Sequence, residues 1–469
     1  MEGPSVDVVD RVCYNIAETT FENFDSKTVD LAKKRILDIL GCIIGGVNAP
    51  GNAALEGLVR KWGGREESTI FVKGGKAPAQ NVAMLNSIFA RSYDFEVMSY
   101  VIDGKLYASH HAATVVPTAL ALGELLRSSG REILTAMLVG EDLAARVQTA
   151  SAEHPIYLGW DGCATLSHLA ATATAARLLR LSPSKVRNAL GIVLNMIAGA
   201  IQSLWDGATT FKLGQGLAAR NGIFAAELAE QGWIGVKDPL MSRFGYFSLY
   251  GGGCKDPSVL TKDLGVRYYG ETYFKPYPCG LPTHVAINCT LSLIKGHDPD
   301  VENIEEISIG VPPGALQNSY YAKPFIIRDF PHGDAIFSYP YAVVTTLLKK
   351  KVGLANFTEE AILDHKVSKL IDKTKLLEQT AAGERLSIEL RVKMKDGREL
   401  VERCAFQMEW VERTTSWEFV INKFWHQVDF SAAVSKKDAD KIINLVGDFE
   451  NVSDISEMVS FLRGQKEMQ

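Results

Sequence analysis

The sequence predicts a mainly α protein, with a large all-helical domain and a smaller α+β domain. Three observations carry that expectation. Apolar residues recur at helical spacing through the first half of the chain. After about residue 265 the pattern changes to alternating runs mixed with helices. Helical periodicity then returns in the tail. The expected division is 1–270 for the first part of the helical domain, 271–408 for the α+β domain, and 409–469 for helices that fold back onto the first domain. A cleft between the domains is the expected ligand site.

In the first part, residues 30–44 place Leu31, Ile36, Leu37, Ile39 and Leu40 at helical spacings. Residues 83–90, 113–126 and 132–147 continue the series, with Pro117 expected in the first turn of its helix. Residues 166–181 are rich in alanine, and small residues let helix axes approach closely. Ser182-Pro183 reads as an N-cap followed by proline at the first helical position, ahead of a helix at 186–201. Residues 217–231 complete the set. Beyond residue 265, the runs 304–311 and 386–394 alternate as strands. Asp396-Gly397 supplies a hairpin turn to a return strand at 400–406. Residues 335–349, 358–374, 437–446 and 455–462 read as helices.

The chain has 469 residues, which suits two or three domains. Its 46% hydrophobic and 22% charged residues are those of a folded globular protein. A formal net charge of −5 gives no basic field and disfavours nucleic acid as a partner. No apolar run reaches the ~20 residues that span a bilayer, so no membrane partner is expected. The first residues lack the basic and apolar regions of a secretory signal. Seven cysteines without a CxxC pair predict buried free thiols in a reducing compartment, the cytoplasm or an organelle matrix. Gly251-Gly252-Gly253 lacks the lysine and following helix of a phosphate-binding loop.

Four segments place polar residues in apolar surroundings. Asp94 and Glu96 follow an apolar helix, where the ordinary reading is a solvated helix end. His110 and His111 precede another helix. An imidazole at a helix N-terminus is biased toward the neutral form and can serve as a base near pH 7; the alternative is a capping or core histidine. Lys212 stands between Phe211 and Leu213 in a glycine-rich stretch. It can hold a carboxylate or donate a proton, or simply pack its stem and reach solvent. His284 ends a run stiffened by three prolines, which otherwise reads as a rigid connector. No spacing typical of metal ligands joins these histidines, so no metal is expected.

Together these stretches resemble the MmgE/PrpD family, which includes 2-methylcitrate dehydratase, cis-aconitate decarboxylase and iminodisuccinate epimerase. The matching stretches are RILDILGCIIGG at 35–46, YDFE at 93–96, HHAATVVPTALALGE at 110–124, DGATTFKLGQGLAARNG at 206–222, KPYPCGLPTH at 275–284 and DAIFSYPYAV at 334–343. They run in family order over nearly the whole chain. The resemblance implies a helical domain closed by both chain ends, an α+β lid, a homodimer, no cofactor, and a small carboxylic acid bound in the cleft. It implies catalytic roles for Asp94, His110, Lys212 and His284, with Glu96, His111 and Tyr341 near the substrate.

Two departures stand out. Asp161, in Gly159-Trp160-Asp161-Gly162, takes the place of a histidine in the decarboxylases, and Met98 takes the place of a threonine. An anion at 161 would repel a substrate carboxylate unless paired, which points to a substrate with fewer carboxylates. Asp161 could also act as a second acid/base, with Trp160 and Met98 lining the site. The family chemistry is proton movement beside a carboxylate. His110 is expected as the general acid/base, placed by Asp94, with Lys212 and His284 holding carboxylates. The simplest activity is a dehydratase-type lyase. An epimerase or isomerase, a cis-aconitate-type decarboxylase, and a degenerate carboxylate-binding paralogue are the alternatives.

Overall fold

A computed structural model describes residues 7–379 and 386–464. Helices of ten residues or more in its first part are α1 (Val8–Glu18), α2 (Ser26–Gly46), α3 (Asn52–Trp62), α4 (Ala79–Arg91), α5 (Ala112–Leu126), α6 (Gly130–Ala150), α7 (Gly162–Leu178), α8 (Pro183–Val193) and α9 (Leu213–Glu230). Two small hairpins, β1 (Ser68–Thr69) with β2 (Lys76–Ala77) and β3 (Tyr100–Ile102) with β4 (Lys105–Tyr107), lie among them. Next come α10 (Leu281–His297), β5 (Ile304–Val311), α11 (Tyr339–Lys349), β6 (Thr374–Glu378), β7 (Ser387–Met394) and β8 (Glu399–Ala405). The chain ends with α12 (Trp417–Ser431), α13 (Lys436–Gly447) and a short helix at Ser456–Ser460. The protein is thus mainly α with one substantial sheet. Among the described residues, no helix is long and apolar enough to cross a membrane.

Small residues set the packing of the helical part. The alanine-rich α7 is buried nearly throughout and packs against α6 and α9. At Gly222 of α9 an added Cβ would lie 2.6 Å from Ala171 Cβ, closer than packed atoms tolerate. At Gly46, the end of α2, it would lie 2.0 Å from the Phe89 carbonyl oxygen of α4. The sheet has the order β6-β5-β7-β8, with β5 and β6 parallel and the other pairs antiparallel. The β7–β8 hairpin turns at Gly397, whose φ of +87° is open to glycine without strain. Helix α10 covers β7 and β8, and α11 packs on α10.

Some elements depart from the sequence reading. Pro117 is the sixth residue of α5, inside the helix rather than in its first turn. The helix expected over 186–201 stops at Val193, before a loop that leads to Asp161's neighbours. The stretch 358–374 breaks into Glu359–Ile362 and His365–Ile371, after which β6 adds a parallel edge strand. Helices α1, α3 and α10 were not anticipated, and α12 lies within the stretch 409–469 expected to be helical, though without bounds of its own. In α12, buried Lys423 and Gln427 interrupt the apolar stripe made by Val420, Phe424 and Val428, which hides its period.

Candidate active site

Helix α4 ends at Arg91, and the chain then turns through Asp94, whose φ is +48°. This left-handed turn brings Asp94 and Glu96, two residues apart, back to one guanidinium. Arg91 Nη1 contacts Asp94 Oδ1 and lies 3.0 Å from Glu96 Oε1. The acids then take different partners. Lys275 Nζ donates to Asp94 Oδ2 at 2.7 Å and to the Asp94 carbonyl at 2.6 Å. His110 Nδ1 lies 2.7 Å from Glu96 Oε1. Glu96, rather than Asp94, is therefore the carboxylate that places His110. Arg91, Asp94, Glu96 and Lys275 are buried, whereas the His110 side chain keeps 9% exposure. Among the described residues its Nε2 makes no hydrogen bond.

These contacts set the charges. Burial would raise the Glu96 carboxyl, but Arg91 and then His110 oppose it and hold it below the usual carboxylate range. Burial lowers His110 to about 3, with Arg91 and Lys275 adding to the effect and Glu96 opposing it. The imidazole is neutral, with its Nδ1 proton facing Glu96 and its Nε2 lone pair free. Burial also lowers Lys275 to about 7, against the pull of Glu96.

Glu271 holds the Ser109 side chain before His110 and the backbone after it. It accepts hydrogen bonds from Ser109 Oγ at 2.7 Å, His111 N at 2.6 Å and Ala112 N at 3.0 Å. It thereby satisfies free amides at the start of α5. Burial, reinforced by Glu141, raises its carboxyl to about 8.

The remaining expected site residues fall into three groups. Lys212 and Asp161 adjoin the Arg91 cluster. Lys212 Nζ donates to the Pro50 carbonyl and Asn52 Oδ1, both at 2.7 Å, and lies 3.4 Å from Ser92 Oγ. Burial lowers its amine to about 7. Its neighbour Phe211 lies under the Arg91 guanidinium, 5.5 Å from ring centroid to Cζ. Asp161 caps α7, accepting from Cys163 N at 3.0 Å; burial raises its carboxyl while Arg91 opposes that. Trp160 stands beside it, edge-on to Tyr250.

His284 and Met98 form a second group. His284 is fully buried, its Nδ1 3.1 Å from Tyr273 OH and its Nε2 3.1 Å from the Cys279 carbonyl. Met98 bridges to Tyr273 and packs with Leu281 and Val411. Both nitrogens of His284 are engaged, so it braces Tyr273 instead of presenting a free nitrogen. The third group lies outside the cluster. His111 turns to Ser167, with Nδ1 3.3 Å from Oγ. Tyr341 donates to the Asn356 carbonyl and packs between Phe325 and Phe357.

Arg91, Lys275 and Glu271 escaped the sequence reading. Lys275 opens the KPYPCGLPTH stretch, and a lysine amid three prolines and an aromatic was the available signal. A cavity of about 340 Å³ is lined by Asp161, His168, Gly199, Gln202, Thr210 and Gly214, among others. A larger groove of about 970 Å³ lies at the surface between α1 and α8 and touches none of the cluster. Ligand atoms of Asp94, Glu96 and His110 come within 4.8 Å of one another, as in a metal site. Arg91 and Lys275 already occupy the same carboxylate oxygens, so this donor set fits an ion-pair network rather than a divalent cation.

Residues 10–257 match the MmgE/PrpD N-terminal domain, and residues 277–448 match the MmgE/PrpD C-terminal domain. A cis-aconitate decarboxylase-like protein of Aspergillus oryzae is 22% identical over 98% of each chain. A cis-aconitate decarboxylase of Aspergillus terreus is 23% identical over 64% of this chain and 63% of its own length. Another from Aspergillus terreus, strain NIH 2624, is 24% identical over 51% of this chain and 49% of its own. With both halves matched in order, the chain belongs to the MmgE/PrpD family.

Proposed function

We propose that the protein is a lyase that moves a proton at a carbon next to a carboxylate of a small di- or tricarboxylic acid. The observation that carries this reading is the Glu96–His110 pair. A neutral imidazole with one nitrogen held by a buried carboxylate and the other unengaged can accept a proton from a substrate carbon. When it takes the proton, Glu96 stabilises the imidazolium that forms. The charge left on substrate is a carbanion spread onto carboxylate oxygens, and it needs a cation aimed at it. Arg91 and Lys275 are committed to Asp94 and Glu96. Lys212 forms no ion pair with a carboxylate among the described residues, and it is assigned to the substrate carboxylate. Two cations matched by two acids leave little net charge around His110. That balance suits a substrate with few carboxylates, as does the acidic residue at 161.

Dehydration is the simplest outcome of such proton removal. Decarboxylation is the second reading, supported by the names of the fungal relatives. The test is proton NMR in heavy water with a panel of di- and tricarboxylic acids. Deuterium entering beside a carboxylate, or the appearance of an unsaturated product, is the expected result. Loss of water, loss of carbon dioxide and epimerisation give different product signals. His110→Ala should abolish turnover in a folded protein, and retained turnover removes His110 from the role.

A further inference from the structure

We propose that the buried Asp38–Lys423 ion pair is a positioning device for Glu96, contributed by α2 and α12. This rests on the assignment of Glu96 and His110 above. Lys423 Nζ lies 2.6 Å from Asp38 Oδ1 and donates to the Phe95 carbonyl at 2.6 Å. The Val97 amide donates to Asp38 Oδ2 at 2.7 Å. The pair therefore grips the peptide groups on both sides of Glu96. Lys423 also sits over the Phe95 ring, 4.2 Å from its centroid. Both side chains are buried, at 0% and 4% exposure, so their geometry is not softened by water.

Glu96 itself has no exposed surface and meets His110 at 2.7 Å. Arg91 restrains the Glu96 carboxylate, but the peptide groups that flank residue 96 have no local restraints of their own among the described residues. The clamp supplies them, and it draws one end from residue 38 and the other from residue 423. An ion pair serving only to join α2 to α12 would need neither backbone bond.

The experiment compares two double variants. Asp38→Leu with Lys423→Met removes both charges and both backbone bonds while filling the space, an exchange that buried ion pairs often tolerate. Asp38→Asn with Lys423→Gln removes the charges but keeps groups able to bond Val97 N and the Phe95 carbonyl. Turnover is read by deuterium entry into whichever acid of the panel the wild type processes, with folding checked by circular dichroism and melting. The apolar pair should lose at least about tenfold in kcat with KM within about threefold, because small misplacement of a base is costly. The amide pair should retain most of the kcat. In a Glu96→Gln background the apolar pair should cost little more, since the clamp acts through Glu96.

Equal kcat for a folded apolar pair and wild type overturns the clamp. So does an additive loss in the Glu96→Gln background. If the apolar pair does not fold, Asp38→Asn with Lys423→Met carries the same test, giving up only the Phe95 bond. His110→Ala is measured alongside. If it is inactive while the apolar pair is active, only the clamp falls; if it is active, the assignment of His110 falls and the clamp with it.

Discussion

Glu96→Gln is the most informative single change. The amide keeps the size of the side chain and one acceptor oxygen but removes the charge. His110 Nδ1, now 2.7 Å from Oε1, exchanges a hydrogen bond to an ion for one to a neutral amide. Bonds to charged groups contribute about 1.5–3 kcal/mol. The neutral bond that replaces it retains about 0.5–1.5 kcal/mol, so if the difference is needed when the imidazole becomes charged, kcat falls roughly 5- to 15-fold. If the amide nitrogen turns toward Nδ1, the proton moves to Nε2 and the base is lost, at a cost on the order of 10⁴-fold. Arg91 retains Asp94 as counter-ion, which limits the loss of stability to the lower end of the ~3–5 kcal/mol seen when one partner of a buried pair is removed. The assay is the rate of deuterium entry beside the substrate carboxylate, with KM measured separately and a thermal melt to confirm folding. A folded Glu96→Gln variant with kcat within threefold of wild type refutes the argument that this carboxylate prepares His110.

Three further changes test other parts. Lys212→Gln should lower kcat/KM about tenfold or more, with kcat falling as well as KM rising, because its amine meets the charge that develops on the carboxylate; steady-state kinetics decide it. Gly46→Ala should lower stability by about 1–3 kcal/mol, since its methyl would meet the Phe89 carbonyl at 2.0 Å and push α2 from α4; denaturant unfolding reads this. His168 is fully buried and neutral, its Nδ1 2.8 Å from the Ala164 carbonyl and its Nε2 3.2 Å from Asn221 Nδ2, and burial lowers it to about 4. Its folded pKa lies below the unfolded ~6.5, so the unfolded state binds the extra proton between those values. Stability linked to His168 is complete above pH 6.5 and lost as pH falls toward 4. His168→Gln should therefore reduce the acid slope by about 1.4 kcal/mol per pH unit in that window, as measured by unfolding at several pH values.

Much of the helical part was legible because its periods are long and apolar, and β5, β7 and β8 because they alternate cleanly. The same logic made His110 and Lys212 visible, since each is polar where its neighbours are not. What failed was pairing. Asp94 and Glu96 are equivalent in sequence, and only the left-handed turn at Asp94 decides that Lys275 goes to the first and His110 to the second. Arg91 reads as an ordinary cation in the last turn of a helix, favoured there by the helix dipole. Nothing local shows that two acids will return to it. His284 was legible as a residue held in a fixed direction, but its bonds to Tyr273 and the Cys279 carbonyl could not be foreseen.

The arrangement of charges explains why the fold draws the site from distant segments. An unpaired buried ion costs several kcal/mol, so the charges packed directly around His110 are paired, and Lys212 alone is left for substrate among the described residues. Within one helix the available partners lie three or four residues away and point along one face. Such pairs cannot surround a reacting carbon. Here Asp38 meets Lys423, Asp94 meets Lys275 and Arg35 meets Glu141, each joining segments far apart in sequence. Arg35 also donates to the carbonyl of Glu271, the residue that braces His110. Fixed charges in a dry site stabilise developing charge without reorganising during the reaction. The same pairs hold the first helices, the segment after residue 270 and α12 around one imidazole. Stability and preorganisation therefore share residues, and variants that remove one ion alone will confound the two. Paired replacements that keep the core neutral separate them.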